Sequence, residues 1–291
     1  MATIIDGKLV SQSVRESLAR DATILKEQGI SPCLAVILVG EDPASCVYVK
    51  NKHKACLQVG IEPIQINMPE DTTEDELIAR IDKLNRDPSV NGILVQLPLP
   101  RHISEERVIA AISPDKDVDA FTHESVARIV NGNYSFLPCT PAGIMELFKF
   151  YGVGIEGKEC VIIGRSNIVG KPMAHLMLGA NATVTVCHSR TKDLASVTKR
   201  ADILIVAIGK AGFVTADMVK PGAVVIDVGI NRTADGKLSG DVDFGEVEKI
   251  ASMITPVPGG VGPMTIAVLM QNTIKSCMMQ NNLIGSVLNI D

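Results

Sequence analysis

Cys160-Val-Ile-Ile-Gly164-Arg165-Ser166-Asn167-Ile168-Val169-Gly170-Lys171-Pro172 reads as a buried strand, a glycine turn and a helix start, in the order a nucleotide site needs. Glycine lets the backbone approach a pyrophosphate, and the free amides and positive dipole end of a helix start hold the anion. Gly164 and Gly170 are not spaced as GxGxxG, so the segment departs from the usual dinucleotide fingerprint. For the two glycines alone, a plain strand-to-helix turn is the competing reading. The next strand adds weight. An NAD site normally ends its second strand in an acid that holds the adenosine ribose hydroxyls. Here Thr183 to Cys187 runs into His188-Ser189-Arg190-Thr191, with no carboxylate. Ser189, Arg190 and Arg165 offer a hydroxyl and two guanidinium groups, which favours the ribose 2′-phosphate of NADP, against the alternative that Arg190 is a solvated turn residue.

The same alternation extends in both directions. Downstream, Val169 to Leu178 reads as a helix and Ile203 to Ala207 and Val224 to Asp227 as strands, with a hairpin-like turn at Asp235-Gly236. Upstream, Leu9 to Gln28 carries apolar residues at helical spacing and stops at Gly29, and Cys33 to Val39 is a continuous apolar run typical of a buried parallel strand. Asp42-Pro43-Ala44-Ser45 opens a helix that Gly60 closes, Ile64 to Met68 alternates as a strand, and Thr73 with Glu76 makes a capping box. Gly92 to Gln96 is a further short strand. Strand and helix in repeated alternation predict an α/β protein with open parallel sheets covered on both faces. At 291 residues the chain has room for two domains, and the pattern loosens between Ser113 and Pro138. The expected division is 1–138 for the first domain and 139–263 for the second, with Thr140 capping a helix that starts at Pro141. The last helix, from about Pro263 to Asn281, is expected to pack back on the first domain, completing it with residues 264–291.

Composition bounds the partners. Lys and Arg number 28 against 33 Asp and Glu, and a net charge of -5 opposes general binding to nucleic acid. With no Trp, three Tyr and six Phe, base-stacking platforms are not expected. Seven cysteines without a CxxC pair fit neither a disulfide framework nor a metal-ligand spacing, so reduced thiols in a cytoplasmic protein without a metal are expected. The uncharged stretch Ile250 to Ile274 is broken by Pro256, Pro258 and Pro263, so no membrane span is expected, and the start carries no secretory pattern.

In the first domain, Tyr48 and Lys52 are one helical turn apart and share a face. A lone helical Lys is usually a solvated residue. Its weight rises because Gln96 ends an apolar strand just before Leu-Pro98-Leu-Pro100, and ligands of open sheets bind at the carboxyl ends of strands. A side chain capping the loop is the bland reading of Gln96, and a solvated acidic loop that of Asp115-Lys-Asp117-Val-Asp119. Thr255-Pro-Val-Pro258-Gly259-Gly260-Val-Gly262-Pro263-Met-Thr265 fixes an unusual path with bare backbone suited to a flat ligand, or is simply the tight connection into the last helix.

These segments in order, with Pro138-Cys-Thr-Pro141 and Asp227-Val-Gly-Ile-Asn231, resemble the FolD-type bifunctional methylenetetrahydrofolate dehydrogenase/cyclohydrolases over about residues 3 to 280. Two positions depart from the family pattern: Ala120, where Gly is usual, and Ser125, where many members carry Asn. The resemblance implies two open-sheet domains with a folate cleft between them, NADP on the second, Rossmann-type domain, and a homodimer built through that domain. It implies oxidation of a tetrahydrofolate-borne methylene with NADP, then hydrolysis to 10-formyltetrahydrofolate. Lys52 matches the family's catalytic lysine, and desolvation beside a cationic substrate would favour the neutral amine that a base needs. By the same implication Gln96 holds Lys52 in register, Tyr48 packs on the folate, and Asp119 accepts paired donors from the pterin. Ser166 and Ser189 contact the cofactor, Ile230 borders its nicotinamide end, and Val95, Pro258, Gly259, Gly262, Pro263 and Thr265 line the folate. Two alternatives stand beside this: a two-domain NADP dehydrogenase of shikimate type, and a non-catalytic folate or nucleotide binder.

Overall fold

The computed structural model describes residues 1–233 and 236–283, which fall into two compact units. One comprises Met1–Gln12 with Pro138–Thr265, and the other Ser13–Leu137 with the chain from Ile266 onward.

The nucleotide-type unit is built on a six-stranded sheet in the order Thr3–Ile4, Met253–Ile254, Val224–Asp227, Ile203–Val206, Glu159–Ile163, Thr183–Cys187. Every neighbouring pair is parallel. The central strands are apolar because helices and loops cover both faces: Val161, Ile163, Leu204, Val206 and Val225 are at most 2% exposed and share one core. Each such side chain contributes roughly 1.5–3 kcal/mol by burial. The strand Glu159–Ile163 lies between its two successors, so the connections on either side of it leave in opposite directions, making a switch point at its carboxyl end.

Two expectations change in this unit. The first residues do not open the other unit; Thr3 and Ile4 pair with Met253 and Ile254 as an edge strand, a pairing too short and too distant in sequence to leave a periodic signal. The helix expected to begin at Pro141 spans Cys139–Tyr151 with Pro138 at its N-cap and no side-chain cap bond. Thr140 is therefore inside the first turn, and its hydroxyl meets that of Thr265 at 3.0 Å. Asp235 of the expected turn lies outside the described residues, as do residues 284–291 of the expected C-terminal completion; the flanking segments Asn231–Arg232 and Leu238–Ser239 pair antiparallel.

The second unit carries a three-stranded parallel sheet in the order Glu62–Met68, Cys33–Val39, Gly92–Val95. The helix Pro43–Val59 begins where the Asp42 carboxylate accepts the Ser45 amide and ends at Gly60 in the left-handed region. Glu74–Arg86 starts with the full Thr73/Glu76 capping box. A short helix, His123–Asn131, occupies the region read as loosening, and another, Glu105–Ala110, precedes it. The final helix, Val261–Gln280, sends Asn272, Ser276 and Gln280 from one stripe to the carbonyl oxygens of Val118, Leu137, Asn91 and Asp115. These bonds tie the helix to the backbone of the loops it covers.

Gly92 shows how tightly this unit closes. A Cβ there would lie 2.8 Å from Val118 Cγ1, and Val118 is fully buried. We expect Gly92→Ala to destabilise the protein by about 1–3 kcal/mol, read from chemical denaturation; an unchanged midpoint would show that Val118 moves aside freely. Among the described residues no helix is long and apolar enough to cross a membrane.

Candidate active site

Lys52 and Gln96 come together in the second unit. The Lys52 ammonium donates to Gln96 Oε1 at 3.0 Å, while Gln96 Nε2 donates to the Leu97 carbonyl at 2.6 Å and its backbone amide to Ile37 at 2.9 Å. Gln96 follows the strand Gly92–Val95, and Lys52 stands on the helix that follows Cys33–Val39, the adjacent strand. The pair thus sits at the carboxyl edge of two neighbouring parallel strands, where the order of this small sheet also reverses. Tyr48, one turn before Lys52, is 42% exposed, an unusual position for a large ring with nothing to cover. Val95 is different: it is buried in the core with Ile93 and Ile37, so it supports the strand end from below.

Asp119 is half-buried in a loop whose shape is set by its neighbours. The acidic stretch is no solvated loop. Lys116 is 8% exposed and donates to the carbonyls of Leu84 and Asp87, and burial holds its ammonium below the usual lysine range. Asp117, 1% exposed, accepts from the amides of Phe121 and Thr122 and from Ser125 Oγ at 2.7 Å. Ser125 therefore supplies an anchoring donor to Asp117. Ala120 has φ +56, in the left-handed region that favours glycine. Asp117 was missed as a site element; an acid two residues before Asp119 gave no separate signal.

In the nucleotide-type unit, the helix after the glycine turn runs Gly170–Gly179. Ser166 Oγ accepts the amides of Val169 and Gly170 at 3.1 and 3.3 Å, leaving Arg165 and Ser166 exposed at the turn. Strand pairing places Ile163 beside Cys187, so the loops carrying Arg165 and Ser189-Arg190 leave neighbouring strands at one edge. The His188 amide donates to Thr191 Oγ1 and His188 Nδ1 accepts the Arg190 amide, a tight turn with Ser189 and Arg190 exposed. A glycine turn at a helix start and two exposed guanidinium side chains without a carboxylate fit a dinucleotide bearing a 2′-phosphate.

Ile230, Pro258, Gly259, Gly262 and Pro263 line one cavity of about 170 Å³ together with Asp227 and Lys8. Ile230 is 47% exposed on its rim. Asp227 is 3% exposed; burial raises its carboxyl to about 6, the nearby Asp241 adding to the rise while amides of Asp241, Val242 and Gly229 oppose it. A wider depression of about 1070 Å³ in the second unit is lined by Cys46, Lys50 and His53, and none of the expected site residues borders it.

The two units define a dinucleotide-dependent enzyme with a Lys–Gln pair at the strand ends of its second unit. Residues 5–119 match the family description "Tetrahydrofolate dehydrogenase/cyclohydrolase, catalytic domain", and residues 138–281 match its "NAD(P)-binding domain". The bifunctional protein FolD of Agathobacter rectalis is 62% identical over 276 residues, covering 95% of this chain and 99% of its own. The crystal structure of the bifunctional enzyme FolD from Campylobacter jejuni superposes with a TM-score of 0.95 at 53% identity, over 96% of this chain and 99% of that one. The Trypanosoma brucei enzyme, solved with NADP and an inhibitor, gives 0.91 at 36% identity, over 96% and 98%. The chain belongs to the tetrahydrofolate dehydrogenase/cyclohydrolase family. The shikimate-type and non-catalytic readings are not favoured by these matches.

Proposed function

We infer that the protein oxidises 5,10-methylenetetrahydrofolate to the methenyl form with NADP and hydrolyses the product to 10-formyltetrahydrofolate. The observation that carries this reading is the Lys52–Gln96 pair, 3.0 Å apart at the strand ends. The methylene carbon lies between two folate nitrogens, so loss of hydride leaves a cation that both nitrogens stabilise, and no proton need leave that carbon. NADP, when bound, supplies the hydride acceptor. The dehydrogenase step therefore asks the protein for orientation. Tyr48 offers its ring to the flat substrate, Asp119 accepts from the pterin, and the bare backbone of Pro258–Thr265 leaves room for an aromatic plate.

Hydrolysis asks for more. Water adds to the cationic carbon and one of its protons is released; the second leaves the oxygen as the formyl carbonyl forms, the carbon–nitrogen bond to the ring nitrogen breaks and that nitrogen gains a proton. We assign this proton movement to Lys52, with Gln96 fixing its amine. Gly164, Arg165, Ser166, Gly170, Ser189 and Arg190 are assigned to the cofactor's phosphates and adenosine ribose, and Ile230 to its nicotinamide end. The sheet edge Thr183–Cys187, which has no neighbour on one side among the described residues and carries the exposed Val186, supports a homodimer formed through this unit. Seven cysteines that form no disulfide among the described residues, six of them buried, support a reducing, cytoplasmic setting.

A coupled assay of 5,10-methylenetetrahydrofolate with NADP and with NAD, followed by absorbance of the reduced cofactor, tests the reaction; no reduction with either would overturn it. In the same assay Arg190→Ala is expected to lower kcat/KM for NADP by ~10-fold to 10²-fold while NAD is little affected, since a charge-assisted bond to a phosphate is worth about 1.5–3 kcal/mol. An equal loss with both cofactors would remove Arg190 from the phosphate.

A further inference from the structure

We propose that Asp241 is a positioning residue that shapes the nicotinamide end of the cofactor site before the ligand arrives; this rests on the assignment of the cofactor to the Gly164 edge. Its side chain is fully buried and carries no expected role. Oδ2 accepts the amides of Ile208 and Gly209 at 2.7 and 3.0 Å, and Oδ1 accepts the Lys210 amide at 2.7 Å and Asn231 Nδ2 at 2.9 Å. Three consecutive amides converging on one centre form an anion nest, a backbone shape that often receives a ligand phosphate. In this protein a side chain fills it.

The position of that nest gives the inference its content. Ile208–Lys210 follows the strand Ile203–Val206, which lies beside Glu159–Ile163 at the switch point, and the Gly164 turn packs against Ala207. Asn231 belongs to the loop after the next strand, the loop that presents Ile230. One carboxylate thus ties together the loops that leave two adjacent strands at the ligand edge. Asp227 extends the tie: its Oδ1 accepts the amides of both Gly229 and Asp241 at 2.9 Å. Gly229 is required by this packing, since a Cβ there would fall 2.3 Å from the Asp241 carboxyl group. The exposed faces of Gly209, Lys210 and Ile230 are left to the ligand.

Asp241→Asn in the full chain is close to isosteric but replaces one acceptor by a donor facing amide N–H groups, so the loops lose half of their anchor. Two ligands separate the ends of the site: NADP, and adenosine 2′,5′-bisphosphate, which has the 2′-phosphate and no nicotinamide. We expect the variant to lose ~10²-fold in dehydrogenase kcat, the scale of a misplaced reacting group, with bisphosphate affinity from calorimetry kept. Asn231→Ala, which removes one of the four donors, should lower kcat in the same direction by about tenfold. Unchanged kcat in Asp241→Asn overturns the proposal. So does an equal loss of bisphosphate affinity, because the carboxylate would then support the whole unit. If instead Arg190→Ala leaves bisphosphate affinity unchanged, the assignment of the cofactor to this edge fails, whatever Asp241 does.

Discussion

Lys52→Met is expected to lower the rate of methenyltetrahydrofolate hydrolysis by ~10²-fold to 10⁴-fold, the range that a positioned acid–base group contributes. Methionine keeps most of the length and apolar stem of lysine while removing the amine, so packing along the helix Pro43–Val59 is retained. Gln96 Oε1 loses its donor, but Gln96 Nε2 keeps the Leu97 carbonyl and the backbone amide keeps Ile37, so the strand end stays in place. The loss should therefore appear in kcat with little change in the thermal midpoint. Hydride transfer, which needs no proton relay, should fall less, through poorer substrate placement alone. Hydrolysis at the parent rate would remove Lys52 from the proton path.

Gly164→Ala is expected to abolish cofactor binding and to weaken the fold together. An added Cβ would lie 2.3 Å from the Ala207 carbonyl oxygen, a backbone atom that cannot swing away, and the residue sits at φ +130, where L side chains are rarely found. Strain and overpacking each cost about 1–3 kcal/mol, and the relief is to push the turn off the neighbouring strand end. NADP at a hundred times its Kd should stabilise the parent protein by about 2.7 kcal/mol and the variant by almost nothing. Thermal unfolding with and without NADP reads both effects, and a full ligand-induced shift in the variant would contradict the role of this turn.

Much of this arrangement was legible in the sequence where one local rule acted alone. Cys33–Val39 is a continuous apolar run and became a central strand; Thr73 and Glu76 are three apart and became a capping box. Gln96 stood out because a polar group at the end of an apolar strand has few structural uses, and it gave weight to Tyr48 and Lys52, one turn apart on the helix Pro43–Val59. What escaped was decided by partners far along the chain. His123–Asn131 is short and its N-cap, Thr122, is itself held by Asp117. Thr140 has the composition of a cap, yet its hydroxyl is used by Thr265, and Thr3–Ile4 is a strand only because Met253–Ile254 lies beside it. Asp241 between Gly240 and Val242 looks like a turn residue; its four donors come from two loops that no periodicity joins to it.

The polar stripe of the final helix has a consequence for the order in which the protein can be completed during synthesis. The carbonyls of Val118, Asp115 and Asn91 wait for donors that lie 154, 161 and 185 residues later in the chain. A nascent chain that already holds Lys52, Gln96 and Asp119 therefore still lacks the pieces that close the loop beneath Asp119. The nucleotide-type unit, whose last sheet strand is Met253–Ile254, can finish its sheet first. Emergence of Asn272 to Gln280 from the ribosome therefore sets the earliest moment at which the loop from Asp115 to Asp119 can hold its final shape.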